Sequence, residues 1–269
     1  MMDRTQRRRL IEEQVVRTGD VSFGELADEF KVSEMTIRRD IEALQQQGIL
    51  RRVSGGAISL SGTAFEPSYG LRAGQAVDSK AHIAERIVAL LKPGETVALD
   101  SGSTVAAVAL AIRGRGLGLT IVTPSITVAT TLADEPDTHV ILAGGTLRSG
   151  ELSLIGSETE QTFARYNCDT FVIGVAGVDA ARGLTEYHPQ EASVKRAAVS
   201  ASRRIIVGAV AEKLGRVHLV NVAPLDIVTA LVTDGHPDHP TIVAARTYGD
   251  VHVVPPASDA LVESSGEPA

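Results

Sequence analysis

From residue 78 onward, short runs rich in Val, Ile and Ala alternate with helical patterns, with Gly-rich turns between them. Strands that alternate with helices rejoin their sheet by crossovers, so this pattern predicts an α/β domain with a mainly parallel sheet. Strands are predicted at 96–99, 120–122, 140–143, 170–175, 204–210, 227–233 and 251–254. Helices are predicted between several of them, at 105–112, 126–133, 158–166 and 190–202. Another precedes the first strand. Asp78 or Ser79 caps it, Ile83, Ala84, Ile87, Val88 and Leu91 form its apolar face, and Pro93-Gly94 turns the chain.

Before residue 60 the chain is built differently, from short polar helices with capping residues. The first is predicted at 4–17, with Leu10, Ile11 and Val15 on one side and Gly19-Asp20 ending it. The second starts at Ser22. Ser22 and Glu25 have the spacing of a capping box, and Leu26, Ala27 and Phe30 follow as the apolar face. After the tight Lys31-Val32 connection, Ser33 caps a third helix that runs to Gln47, with Gly48 as its stop. Ile37, Ile41 and Leu44 share its inner face, which leaves Ser33, Met35, Thr36, Arg38 and Arg39 on the exposed side of its first turns. A helix entering the major groove needs such groups: Arg for guanine edges, hydroxyls for phosphates, a methyl for thymine. Residues 49–58, with Arg51-Arg52 and Gly55-Gly56, read as the hairpin wing that flanks a helix-turn-helix.

Charge supports a division near residue 60. The net charge of −7 looks wrong for a nucleic-acid binder. Yet residues 1–60 hold ten basic and ten acidic side chains, and residues 61–269 hold 16 and 23. Clustered arginines can make a positive face on a neutral domain. The predicted organisation is a winged helix-turn-helix over 1–60, a linker over 61–77, an α/β domain over 78–258 and a tail over 259–269. The linker begins in the small, polar stretch from Ser59 to Ala64. A single Cys excludes a disulfide framework and a cysteine-rich zinc site, and fits a reducing cytoplasm. The longest aliphatic run, 105–112, is too short for a membrane span, and no apolar stretch follows Arg7–Arg9 to make a secretory signal.

Ligands of α/β sheets bind beyond the carboxyl ends of the strands. After the first strand comes Asp100-Ser101-Gly102-Ser103-Thr104, opening into a helix whose N-terminal N–H groups, with these hydroxyls, can cradle an anion. It is not a Walker motif. Gly144 and Gly145 follow the third strand and Lys213 the fifth, while Lys80 starts the first helix and Glu191 stands one turn from Lys195, where an ion pair is expected. His236-Pro237-Asp238-His239 reads as a solvated turn rather than a metal site, and Cys168 as a packed thiol. Neither a metal nor a cofactor is predicted.

The wording from Val32 to Ile41, with Leu44, Gly48, Leu50, Arg52 and Gly55-Gly56-Ala57, closely resembles the DNA-binding signature of DeoR-family transcriptional regulators. The second domain resembles the family's sensor domain. The resemblance rests on Lys80-x-x-Ile83-Ala84, Asp100 to Thr104, Val122 to Ser125, Gly144-Gly145-x-Leu147-Arg148 with Leu154-x-Gly156, Gly183-Leu184-Thr185, Glu191-x-x-x-Lys195 and Lys213-x-Gly215-Arg216. It implies the fold of ribose-5-phosphate isomerase and glucosamine-6-phosphate deaminase, with a phosphorylated sugar at the Asp100–Thr104 loop. Three positions depart from the family's wording: Ser54 for His, Pro124 for Asn, and Val210 for Asp. The resulting expectation is a cytoplasmic homo-oligomeric repressor of sugar-metabolism genes. It would bind operator DNA through Ser33, Met35, Thr36, Arg38, Arg39, Arg51 and Arg52. Its effector would be held by Lys80, Asp100, Ser101, Gly102, Ser103, Thr104, Gly144, Glu191 and Lys213. Two alternatives are a sugar-phosphate enzyme with a DNA-binding head, and a DNA-binding protein without a ligand. Against the first, the loop after the fourth strand offers one carboxylate, Asp179.

Overall fold

A computed structural model describes residues 3–18, 20–59, 66, 67 and 69–256. Gly19, most of the expected linker start and the expected tail lie outside the described residues. The chain divides into two compact units, 1–72 and 73–269.

The first unit, the head, contains α1 (Arg4–Thr18), β1 (Asp20–Ser22), α2 (Phe23–Phe30), α3 (Glu34–Gln46), β2 (Leu50–Val53) and β3 (Gly56–Ser59). Ile11, Val15, Phe23, Leu26, Phe30, Ile37, Ile41 and Leu44 bury their side chains in one core, as the helical periodicity requires. Ser33 caps α3 by accepting from the Thr36 N–H at 3.3 Å. The expected capping box at Ser22 and Glu25 does not form, because Ser22 ends a strand that pairs with β3 and makes no side-chain cap. The Phe23 N–H is met instead by the Gly55 carbonyl at 2.9 Å. The wing is accordingly a three-stranded antiparallel sheet, β1-β3-β2, rather than a lone hairpin. A short helix, α4 (Tyr69–Gly74), occupies part of the segment expected to be linker.

In the second unit, α5 (Val77–Val88) leads into β4 (Thr96–Leu99), α6 (Ser103–Ile112), β5 (Thr120–Thr123), α7 (Ile126–Leu132) and β6 (His139–Leu142). A hairpin of β7 (Thr146–Arg148) and β8 (Ser153–Ile155) precedes α8 (Ser157–Ala164) and β9 (Cys168–Gly174). Then come β10 (Gly177–Asp179), β11 (Gly183–Glu186), α9 (Pro189–Ser200), β12 (Ser202–Gly208), β13 (Val220–Ala223), β14 (Ala230–Thr233), α10 (Pro240–Ala245) and β15 (Asp250–Val253). Seven strands form one sheet in the order β15-β14-β12-β9-β4-β5-β6, every pairing parallel. Side chains alternate between its faces. Val97, Leu99, Ile121, Val172 and Ile206 pack with α5, α6 and α7, while Ala98, Val122, Phe171, Ile173 and Val207 pack with α8, α9 and α10.

Two expected details of this unit are corrected. Neither Asp78 nor Ser79 caps α5; the cap lies earlier in the chain, at Ala76 in the left-handed region at φ 48°. The expected strand 227–233 begins only at Ala230, because Leu225–Ile227 forms a 3-10 turn. The hairpin β7–β8 and the small antiparallel sheet β10-β11-β13 were not expected.

Candidate functional site

In the head, α3 and the wing present the groups expected at a nucleic-acid interface. Met35 is 60% exposed, a large apolar side chain left in water at the start of a helix. Ser33 and Arg39 are exposed beside it, and Thr36 and Arg38 are half-buried. Arg51 and Arg52 stand exposed on β2. The side chains of Arg39 and Arg51 make no ion pair or hydrogen bond among the described residues. Arg38 pairs with Glu34 at 3.2 Å and Arg52 with Glu42 at 2.5 Å. Exposed pairs of this kind contribute at most about 1 kcal/mol, so a phosphate can compete for either arginine. The Arg7–Arg9 cluster is a different matter. Arg7 at 2.7 Å and Arg8 at 2.8 Å both bind Asp40, which is buried at the middle of α3. They clamp α1 to the back of α3 and are not part of a positive face.

In the second unit, β5 and β6 lie on one side of β4 and β9 on the other, so the sheet reverses its winding between β4 and β9. The crevice at such a switch point is where an α/β sheet takes its ligand. The Asp100–Thr104 loop lies there, with Gly102 in the left-handed region at φ 97° and α6 beginning at Ser103. Ser101 and Thr104 are buried, and Gly102 and Ser103 are half-exposed. The Thr104 hydroxyl is buried without a hydrogen-bond partner among the described residues.

Asp100 is held differently from the rest of its loop. Its carboxylate accepts from the Gly174 N–H at 3.1 Å and binds Lys195 Nζ, which also donates to the Gly174 carbonyl at 2.8 Å. Asp100 thus joins the ends of β4 and β9 underneath the crevice. Lys195 pairs further with Glu186 at 3.3 Å, and not with Glu191 as helix spacing suggested. Glu191 instead binds Arg148 at 3.0 Å and accepts from the Ser153 hydroxyl at 2.6 Å. Both partners sit on the β7–β8 hairpin, which the sequence reading did not foresee.

Three carboxylates and two cations therefore share a buried cluster, in which burial and ion pairing pull each group's titration in opposite directions. Burial, against the pull of Lys195, pushes Asp100 up to about 6. Burial would lower Lys195, but Asp100, Glu186 and Glu191 outweigh it and hold the ammonium protonated. Burial would raise Glu191, but Lys195, Arg148 and Ser153 together keep it below the usual carboxylate range.

Lys80 is buried, not solvated, and its ammonium donates to the Gln75 carbonyl at 2.7 Å. Lys213 donates to the Val175 carbonyl at the end of β9, and Gly144 accepts from the Thr159 hydroxyl at 2.7 Å. At the departing position Val210, the following N–H of Ala211 is met by Asp234 at 2.7 Å. Pro124 keeps a carbonyl that accepts from the Leu154 N–H at 2.8 Å and so tethers β8. Asp179 caps the β10–β11 turn through the N–H groups of Ala181 and Arg182. His236 and Asp238 are exposed, His239 caps α10 by accepting from the Thr241 N–H, and Cys168 is buried with its thiol pushed up by burial. Among the described residues no helix is long and apolar enough to cross a membrane.

The sequence profile of the DeoR-like helix-turn-helix domain matches residues 7–63, and that of the DeoR C terminal sensor domain matches residues 75–235. The glycerol-3-phosphate regulon repressor of Escherichia coli K12 is 36% identical over 88% of this chain and 93% of its own. The chain belongs to the DeoR family of transcriptional regulators. A DeoR-family relative in Haloferax volcanii, the HTH-type transcriptional regulator GlpR, is 34% identical over 86% of this chain and 89% of its own. Among solved structures, ribose 5 phosphate isomerase A from Neisseria gonorrhoeae aligns with a TM-score of 0.37 at 17% identity, over 52% of this chain and 54% of that one. The full-length sorbitol operon regulator SorC of Klebsiella pneumoniae aligns with a TM-score of 0.38 at 14% identity, over 77% of this chain and 90% of that one. The fold of this DeoR-family chain is a winged helix-turn-helix joined to a doubly wound α/β domain.

Proposed function

We propose that this DeoR-family chain is a repressor that binds operator DNA through its head and answers to a small phosphorylated sugar or polyol bound at the β4–β9 switch point. The observation that carries the reading is the outward face of α3, where Met35 and Arg39 stand in water on a helix clamped from behind by Arg7, Arg8 and Asp40. α3 enters the major groove, and Arg51 and Arg52 on the wing reach phosphates or the minor groove. The effector class draws on names borne by relatives, a glycerol-3-phosphate regulon repressor and a putative aga operon repressor. It draws also on the site. The first N–H groups of α6 and the Thr104 hydroxyl, which has no partner among the described residues, suit a phosphate, and the neighbouring carboxylates suit hydroxyl groups.

In this reading Ser101, Gly102, Ser103 and Thr104 take the phosphate. Asp100, Lys80, Gly144 and Lys213 hold the loops around it, and Glu191 accepts from a sugar hydroxyl. The effector releases the DNA by favouring a conformation that binds it less well. The chain acts as a homo-oligomer on paired half-sites, in the cytoplasm, without catalytic turnover. Fluorescence anisotropy on DNA from upstream of its own gene, at one fixed salt concentration, tests the reading with and without a panel of sugar and polyol phosphates. Competitor-resistant binding that one phosphate weakens is the expected result. Specific binding that no phosphate changes removes the effector assignment, and turnover of a sugar phosphate that Glu191→Gln abolishes would favour an enzyme.

A further inference from the structure

Phe23 is the first residue of α2 and is buried in the head, yet its ring is covered by two charged side chains rather than by apolar ones alone. The guanidinium carbon of Arg38, on α3, lies 4.7 Å from the ring centroid. That of Arg52, on the wing, lies 5.7 Å from the same centroid. Each arginine also pairs with a carboxylate of α3, Arg38 with Glu34 and Arg52 with Glu42. The wing backbone is tied to α3 as well, because the Arg52 N–H donates to Gln45 Oε1 at 2.8 Å. One aromatic ring therefore touches both elements that present arginines to a duplex.

We propose that Phe23 is a positioning residue for DNA binding: its ring presets Arg38 and Arg52 together before DNA arrives. The proposal rests on the DNA-binding reading of the head. An aromatic face attracts a guanidinium through its quadrupole. A free arginine loses much rotamer freedom on binding a phosphate, and a guanidinium already held on a ring loses less. Phe23 touches no DNA itself and acts through the two arginines.

Phe23→Leu removes the ring face and keeps a buried apolar side chain; Phe23→Tyr keeps the face. Replacing the ring site-specifically by its pentafluorinated counterpart keeps the shape and reverses the quadrupole. Affinity for the upstream DNA fragment is read by anisotropy across a salt series, with thermal melting of each variant alongside. Two cation–π contacts predict about a tenfold loss for Phe23→Leu and for the fluorinated ring, and near-normal affinity for Phe23→Tyr. The slope of log affinity against log salt stays unchanged, because both arginines still reach their phosphates. Relaxation of the Arg38 and Arg52 Nε–H groups in the DNA-free protein should show both becoming mobile in the fluorinated variant. A fluorinated ring that binds DNA as well as phenylalanine, with both arginines still ordered, overturns the proposal and leaves Phe23 a packing residue. Absence of competitor-resistant DNA binding by the unaltered protein would instead strike at the DNA-binding reading itself.

Discussion

Arg39 and Arg51 leave their guanidinium groups in water, while Arg7 and Arg8 commit theirs to Asp40. The same residue type thus serves two purposes within one small unit. Arg39→Ala is expected to weaken operator binding by about 1–3 kcal/mol, the range for a lost bidentate base contact, with relaxed preference at one base pair. Anisotropy against single-base operator variants checks it. Glu12 is the head's other notable charge. Burial, and to a lesser extent Glu13, raises its carboxyl from 4.5 to about 7, and its Oε1 has no partner among the described residues. A pKa raised on folding adds stability that is complete below the unfolded value and disappears as pH climbs through the folded one. With the full conversion discounted for solvent screening, the head should therefore lose on the order of 2 kcal/mol between pH 4.5 and 7. Glu12→Gln should flatten that decline, and melting curves across the same pH window would show it. In the sensor unit, Lys195→Met strands Asp100 and Glu186 without their cation, at a cost of about 3–5 kcal/mol in the melting of that unit.

At the scale of elements, the two glycines of the wing have different work. Gly55 lies in the turn at φ 84° with open space around it, whereas Gly56 opens β3 where β1 crosses closely. A Cβ at Gly56 would come within 2.0 Å of the Val21 carbonyl oxygen. Gly55→Ala should cost about 1 kcal/mol from the left-handed backbone alone. Gly56→Ala should cost several times that and separate β1 from β3, which chemical denaturation of the two variants would compare. The sequence displayed Gly55-Gly56 as one turn signal, because β1 is too short to have a periodicity of its own. Longer elements were legible: α3, α6 and the core strands lie within a few residues of their expected places, since each repeats its apolar pattern over several positions. The Asp100 loop was legible too, as a run of Ser, Thr and Gly after a strand. The contacts beneath it were not. Asp100 and Lys195 lie 95 residues apart, and only the winding of the sheet brings them together. Arg148 had been visible only as a letter in a motif; its place against Glu191 depends on a hairpin whose strands have three residues each.

For the molecule as a whole, the proposed effector should reveal itself as a stabiliser. A ligand at 100 times its Kd that binds only the folded state adds about 2.7 kcal/mol. Calorimetry with the phosphate that weakens operator binding should place that gain on the sensor unit, and Ser103→Glu, which puts a carboxylate where the phosphate would sit, should abolish it while DNA binding survives. An unchanged response in that variant would move the ligand elsewhere. The clamp between α1 and α3 also matters at the bench. Arg7 and Arg8 brace α3 through Asp40, so in the proposed reading the start of α1 supports the operator contact without touching DNA. A purification tag fused there, or a trim of the first eight residues, should blunt operator affinity without removing any group that touches a base.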